Sequence, residues 1–191
     1  MKLGVLALQG AFRAHRRALE TIGVDSVEVR GPGDLTGVDG LVMPGGESTT
    51  MSLLLESTQL FDPLESAIAD EMPVFGTCAG LILLAREIED GRSDQRKFGR
   101  LDIGVRRNAY GRQLESFEAD LEVAGLDRPV PGVFIRAPQI TRVGDAVEVL
   151  ASDDSGNPVL VRDRTALGAV FHPELSGDAR IHRLFVDSIA Y

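Results

Sequence analysis

The chain has 191 residues, 43% of them hydrophobic, which is enough for one well-buried core and short for two, so a single domain over 1–191 is expected. A formal net charge of −9 at pH 7 argues against nucleic acid and anionic membrane as partners, because both select a basic surface. A single cysteine excludes an internal disulfide and a multi-cysteine metal site, and no stretch reaches the roughly 18 unbroken apolar residues of a membrane helix; an unprocessed protein of the reducing cytoplasm is expected.

Leu3-Gly4-Val5-Leu6-Ala7-Leu8 is a continuous apolar run closed by Gln9-Gly10, the pattern of a parallel strand buried on both faces. A helix is predicted from Ala11 to Ile22, with Phe12, Leu19 and Ile22 inward, Arg13, Arg16, Arg17 and Glu20 in solvent, and Gly23 as its stop. Ser26 to Val29 reads as a second strand, Gly31-Pro32-Gly33-Asp34 as a turn, and Gly40-Leu41-Val42-Met43 as a third strand. Pro44-Gly45-Gly46-Glu47-Ser48 then turns into a helix from Thr49 to Leu55, and another helix is predicted from Pro63 to Asp70. Pro73-Val74-Phe75 forms the next strand, followed by a helix from Leu81 to Ile88.

After Gly91 the pattern changes to short strand-like runs, Phe117 to Val123, Gly132 to Ile135, Ala146 to Ala151, Val159 to Arg162 and Leu167 to Phe171, which predict an antiparallel second half. A last helix runs from Asp178 to Ile189 with Ile181, Leu184, Phe185 and Ile189 on one face. Strands alternating with helices imply an α/β fold with an open, mostly parallel sheet, whose ligands gather beyond the carboxyl ends of the strands.

Two glycine-rich strand-to-helix turns mark those ends. Gly76-Thr77-Cys78-Ala79-Gly80 is the thiol counterpart of the G-x-S-x-G elbow, in which small neighbours permit a bend sharp enough to expose a nucleophile. A cysteine at the first turn of a helix faces free backbone N–H groups, and the Ala79 N–H is placed to meet a developing oxyanion. By itself Cys78 is equally readable as a small buried hydrophobe. His172-Pro173-Glu174 follows the strand-like run ending at Phe171; a histidine can take a thiol proton, and a carboxylate two residues on along extended chain can hold the imidazole in the right tautomer. Alone, His172 reads as a loop histidine and Glu174 as a solvated charge. His15 and His182 have no carboxylate at that spacing and are assigned to the surface.

Taken together, Gly76-Thr77-Cys78-Ala79-Gly80 and His172-Pro173-Glu174 resemble the class I glutamine amidotransferases, which hydrolyse the side-chain amide of glutamine through a cysteine, a histidine and a glutamate. Further runs narrow the resemblance: Leu8-Gln9-Gly10-Ala11, Gly45-Gly46-Glu47-Ser48-Thr49-Thr50-Met51, Arg107-Asn108 with Gly111-Arg112-Gln113, Ser116-Phe117-Glu118, Phe134-Ile135-Arg136-Ala137-Pro138 and Phe171-His172-Pro173-Glu174-Leu175. They are similar to the family of glutaminase subunits of pyridoxal 5'-phosphate synthases, over essentially the whole chain. Tyr110, where the family usually has phenylalanine, and Ala14, where a glutamate often precedes the first-helix histidine, are departures that touch the partner interface rather than the reaction.

The resemblance implies a flavodoxin-like fold and hydrolysis of L-glutamine to L-glutamate and ammonia, with Cys78, His172 and Glu174 catalytic. It implies glutamine-binding positions at Gly46, Glu47, Ser48, Arg107, Ile135 and Arg136, and oxyanion donors at Gly45, Gly46 and Ala79. Solitary arginines such as Arg107 and Arg136 otherwise read as surface charges, and Glu47-Ser48-Thr49 as a helix cap. The implied partner is a synthase subunit with a dodecameric core, docked through Gln9-Gly10-Ala11 and Asn108 to Gln113. No metal or organic cofactor is implied, pyridoxal phosphate being the product of the larger complex. A glutaminase subunit of another pathway, such as imidazole glycerol phosphate synthesis, and a catalytically silent binding subunit are the rival readings; a cysteine-elbow hydrolase or chaperone leaves the glutamine-site runs unexplained.

Overall fold

The computed structural model describes residues 1–92, 94–107 and 116–189. The runs centred on Asn108 and Gly111-Arg112-Gln113, and with them Tyr110, lie outside the described residues. A seven-stranded sheet is built from β1 (Lys2–Leu6), β2 (Asp25–Val29), β3 (Gly40–Met43), β4 (Val74–Thr77), β10 (Glu148–Ser152), β11 (Pro158–Asp163) and β12 (Ala166–Ala169), in the order β10-β11-β12-β4-β3-β1-β2. The five strands from β2 to β12 in that order are mutually parallel, and β11 and β10 add an antiparallel edge. Every residue of β3, β4 and β12 is buried, as the unbroken apolar runs require of strands covered on both faces.

The sheet brings four chain exits to one edge. Its register pairs Met43 with Gly76 and Ala169 with Thr77, so β3, β4 and β12 end level with one another. The chain order runs outward in opposite directions from β1, to β2 on one side and to β3 and β4 on the other, which makes the carboxyl end of β1 and β3 a switch point where a crevice opens. Helices α1 (Phe12–Thr21), α2 (Ser48–Ser57), α3 (Phe61–Ala69) and α4 (Ala79–Leu84) follow β1, β3 and β4, and α5 (Arg180–Ile189) closes the described chain against α1.

Several expectations are corrected. The helix predicted from Leu81 to Ile88 ends at Leu84, and β5 (Ala85–Ile88) begins at once. All six residues of α4 are buried, a length too short for periodicity to separate helix from strand. The polar Arg86 and Glu87 cannot follow that helix into the core, so the backbone extends and β5 pairs with β6 (Leu101–Arg106). With β9 (Gln139–Val143) these form a separate three-stranded sheet, and neither β6 nor β9 was expected. Strands after Gly91 pair antiparallel with one another, as expected, β6 with β9 and β11 with both β10 and β12, while β6 and β12 join the first half by running parallel to β5 and β4. A hairpin of β7 (Ser116–Leu121) and β8 (Val130–Ile135) completes the strands.

His15 and His182 are not surface residues: both are fully buried where α1 meets α5, with His15 Nδ1 2.9 Å from His182 Nε2. His15 falls on the stripe Phe12, His15, Leu19, Ile22, and His182 on the stripe His182, Phe185, Val186, Ile189, so each sits at a core-facing helical spacing. Phe75 of β4 packs edge-on against His182, ring centroids 5.6 Å apart, and against His15 at 6.3 Å. Burial lowers the His15 pKa to about 4, only partly offset by the Glu174 carboxylate and reinforced by His172. Burial likewise lowers His182 to about 3, reinforced by His15 and opposed by Glu174.

Two predictions follow from this packing. A Cβ on Gly80 would stand 2.1 Å from the Met43 carbonyl oxygen, so Gly80→Ala must push α4 off β3; we expect a loss of about 1–3 kcal/mol in chemical denaturation, against near-neutrality for Gly31→Ala, which has nothing within 4 Å. Histidines that stay neutral in the fold but protonate near 6.5 when unfolded contribute stability that is present above pH 6.5 and lost as the pH falls toward 4 and 3. Each contributes a slope of at most about 1.4 kcal/mol per pH unit, so unfolding free energy measured from pH 6.5 down to 4.5 should fall, and His182→Phe should flatten that fall.

Candidate active site

The elbow begins with close backbone packing. A Cβ on Gly76 would lie 2.6 Å from the Gly80 carbonyl carbon, so these two glycines let strand β4 turn back directly over the start of α4. Between them Cys78 takes φ 48° and ψ −103°, a conformation rarely open to a residue with a side chain and costing on the order of 1–3 kcal/mol. Hydrogen bonds hold it there: the Cys78 N–H donates to the Ala169 carbonyl at 2.8 Å, and the Ile82 N–H donates to the Cys78 carbonyl at 3.1 Å. The thiol is largely buried, yet it lines a cavity of about 550 Å³.

His172 enters from the neighbouring strand exit. Its N–H donates to the Val133 carbonyl at 2.8 Å, which ties the end of β12 to β8. Pro173 then opens a 3-10 turn over Pro173–Leu175, and this turn, not the extended chain expected, folds Glu174 back so that His172 Nδ1 lies 2.8 Å from Glu174 Oε1. Cys78 lies beside the same ring, both lining one cavity next to Gly45. Burial works against charge on His172, but hydrogen bonds with Cys78 and Glu174 and the negative charge of both outweigh it and raise its pKa to about 10. Burial pushes the Glu174 carboxyl up, while His15 and the hydrogen-bonded His172 pull it below its ordinary value. Because His15 is itself neutral near pH 7, the charge that holds Glu174 there is that of His172.

The β1 and β3 exits form the facing wall. A Cβ on Gly45 would stand 2.3 Å from His172 Cε1 and 3.3 Å from Cys78 Cβ, so only glycine lets the turn lie flat against both. Gly10, at φ 77°, approaches the Gly45 carbonyl just as closely, a Cβ there falling 1.9 Å from that oxygen. Gln9 Nε2 donates to the Glu47 carbonyl at 2.7 Å, locking the two turns together, and its amide fills the space a Gly46 side chain would need. Gly45, Gly46, Glu47 and Ser48 line the cavity with Cys78 and His172; Ala79 does not line it, although its N–H belongs to the residue after the thiol.

The remaining expected positions reach the same cavity. Arg107, Ile135 and Arg136 line it, Ile135 at the end of β8 and Arg136 exposed at the rim with φ 43°. Arg107 is pinned, its Nη2 donating to the Asp90 carbonyl at 2.8 Å and its Nη1 to Thr49 Oγ1 at 2.9 Å. The cap of α2 is Glu47 itself rather than a serine or threonine: its carboxylate accepts the Thr49 N–H at 3.0 Å and the Thr50 N–H at 2.6 Å. Burial raises the Glu47 carboxyl, and the hydrogen bonds from Thr49 and Thr50 more than reverse this. Among the described residues no three His, Cys, Asp or Glu side chains converge as metal ligands. A second concavity between α1 and β2, edged by Arg13, Arg16, Arg17 and Glu20, has neither a cysteine nor a histidine in its lining.

Sequence reasoning missed the residues behind Glu174. His15 Nε2 lies 3.4 Å from Glu174 Oε2 and 3.3 Å from Thr77 Oγ1, so the first helix supports the carboxylate from the side away from His172. The core-facing spacing of His15 was the available signal.

The family model described as the SNO glutamine amidotransferase family matches residues 5–191. A curated protein of Frankia alni, named pyridoxal 5'-phosphate synthase subunit PdxT, is 55% identical over 189 residues, covering 98% of this chain and 94% of its own. A protein of the same name from Mycobacteroides abscessus is 55% identical over 187 residues, covering 98% and 96%. A crystal structure of a glutamine amidotransferase superposes with a TM-score of 0.92 at 47% identity, over 99% of each chain. With likeness of this extent in both sequence and fold, the chain belongs to the SNO glutamine amidotransferase family.

Proposed function

We propose that this chain, one glutamine amidotransferase domain working in the cytoplasm, hydrolyses L-glutamine to L-glutamate and ammonia and passes the ammonia to the synthase subunit of a pyridoxal 5'-phosphate synthase. The observation that carries the reading is the convergence of Cys78 and Glu174 on one imidazole, that of His172, at the wall of a cavity sized for a small amino acid. The names of the relatives support the pathway, and family likeness supports a dodecameric synthase core.

In this reading Cys78 Sγ attacks the side-chain amide carbon after His172 has taken the thiol proton. His172, whose raised pKa lets it hold that proton, then delivers it to the departing nitrogen, which leaves as ammonia. The carbonyl oxygen collects negative charge as the tetrahedral intermediate forms, facing N–H groups of Gly45, Gly46 and Ala79. A thioester remains on Cys78; water, deprotonated by His172, attacks it and releases glutamate. Glu174 keeps the His172 ring oriented and stabilises its charge. The ammonium and carboxylate of glutamine are met by Glu47, Arg107, Arg136 and the backbone at Gly46, Ser48 and Ile135, all of which border the cavity.

Glutamine hydrolysis assayed in the presence of the synthase subunit tests the triad. Cys78→Ala should lose activity on the order of 10⁶-fold and His172→Asn nearly as much, whereas Glu174→Ala should lose about 10⁴-fold; near wild-type turnover in Cys78→Ala would refute the mechanism. The Gly45-Gly46 peptide supplies a gate, since glycines allow it to swing an N–H toward or away from the oxyanion. Without partner the chain should be a poor glutaminase, and losing one donor accounts for about 10²–10³ in rate. Adding synthase should restore that factor, and Gly46→Ala should blunt the rise more than it weakens binding measured by sedimentation; full activity of the isolated chain would remove the gate.

A further inference from the structure

Glu174 has two carboxylate oxygens and the catalytic reading uses one. Oε1 meets His172 Nδ1 at 2.8 Å, while Oε2 is buried with no hydrogen bond of good geometry, its nearest charged or imidazole neighbour being His15 Nε2 at 3.4 Å. The side chain has no exposed surface, and a carboxylate oxygen sealed from water needs a donor. Both imidazoles behind it are neutral near pH 7, because burial lowers His15 to about 4 and His182 to about 3.

The 2.9 Å contact between His15 Nδ1 and His182 Nε2 holds one hydrogen, and the two ways of placing it are unequal. If His15 Nδ1 carries it, His15 Nε2 is a bare lone pair. Thr77 can then donate its hydroxyl to that nitrogen, but the lone pair faces the anionic Oε2 and the N–H at His182 Nδ1 is left buried without an acceptor. If His182 Nε2 carries it, His15 Nε2–H points into the gap between Thr77 Oγ1 and Glu174 Oε2, and the only orphan is a lone pair at His182 Nδ1. Buried unpaired N–H groups are the rarer outcome, so the second arrangement prevails.

We propose that His15, held in its Nε2–H tautomer by His182, is a positioning residue for glutamine hydrolysis: it fixes Oε2 of Glu174 so that Oε1 stays on His172. The result is a line of close polar contacts from α5 through α1 to the 3-10 turn and His172. Thr77, which shares the His15 N–H, directly precedes Cys78, so one imidazole braces both the strand that carries the thiol and the turn that carries the carboxylate. Around His15 the described charged groups are Glu174 and His172 from the turn; α5 contributes neutral His182, and β4 contributes Thr77 and the edge of Phe75.

The inference rests on the triad reading, and its test separates the two. Wild type, His15→Gln, which keeps an N–H near the Nε2 position, His15→Leu, which removes it, and Cys78→Ala are assayed against pH with the synthase subunit bound. His15→Leu should lose kcat roughly tenfold with KM unchanged, and its acid limb should move to higher pH because Glu174 loses a donor that favours its ionised form. His15→Gln should recover most of kcat and the wild-type limb. Two-bond proton–nitrogen NMR of the wild-type chain, which needs no variant to fold, should show hydrogen on Nε2 of both His15 and His182. A bare His15 Nε2, an unchanged His15→Leu profile, or an equal loss in Gln and Leu with the acid limb unmoved would each overturn the proposal; an active Cys78→Ala would instead overturn the triad itself.

Discussion

Glu174 is a carboxylate with no exposed side-chain surface, and keeping it charged in the interior is the constraint around which the site is built. An isolated buried anion is too costly to persist, and a poorly paired one titrates instead. Here one oxygen meets a histidine whose proton is held well into the alkaline range, and the other faces a neutral histidine pair. The same pairing that makes the carboxylate tolerable makes His172 strongly basic, so burial of Glu174 and the proton held on His172 are two consequences of one interaction. The acid-side and alkaline-side titrations also have different origins. Below pH 6.5 the neutral histidines oppose folding, whereas above it the retained proton on His172 is the one that the unfolded chain lacks.

Placement of these groups depends on backbone contacts that only glycine permits. Gly76 and Gly80 allow α4 to start against β3 and β4, Gly45 lies flat on the His172 ring, and Gly10 sits against the Gly45 carbonyl. Four separate chain exits therefore line one cavity with the thiol. The strained Cys78 backbone is tolerated because its N–H is anchored to β12, the strand that delivers His172. Cys78 and His172 thus hang from neighbouring, hydrogen-bonded strands with a shared register, a rigid mounting for a thiol and an imidazole that share one cavity wall.

Much of this was legible in the sequence. The apolar runs at Leu3 to Leu8 and Gly40 to Met43 are long enough, and the glycine turns after them distinctive enough, to give the parallel sheet and the elbow; His172-Pro173-Glu174 stood out by spacing. What failed did so for definable reasons. The all-apolar stretch from Leu81 to Ala85 carries no period, so the switch from α4 to β5 was invisible. Strands β6 and β9 take their identity from pairing in a small separate sheet, a tertiary choice. His15 and His182 differ from the surface assignment because that reading sought a carboxylate two residues away, whereas position on the helical stripe is what buries them and the carboxylate beside His15 is Glu174, remote in sequence.

The proposed hydrolysis turns on Cys78 acting as the nucleophile toward glutamine in this cavity. Its most direct measurement is mass spectrometry of the synthase-bound chain after exposure to a glutamine-analogue electrophile. One label per chain is expected on the peptide containing Cys78, slowed by excess L-glutamine and largely lost in His172→Asn. An unlabelled Cys78, or labelling that glutamine does not slow, would contradict it.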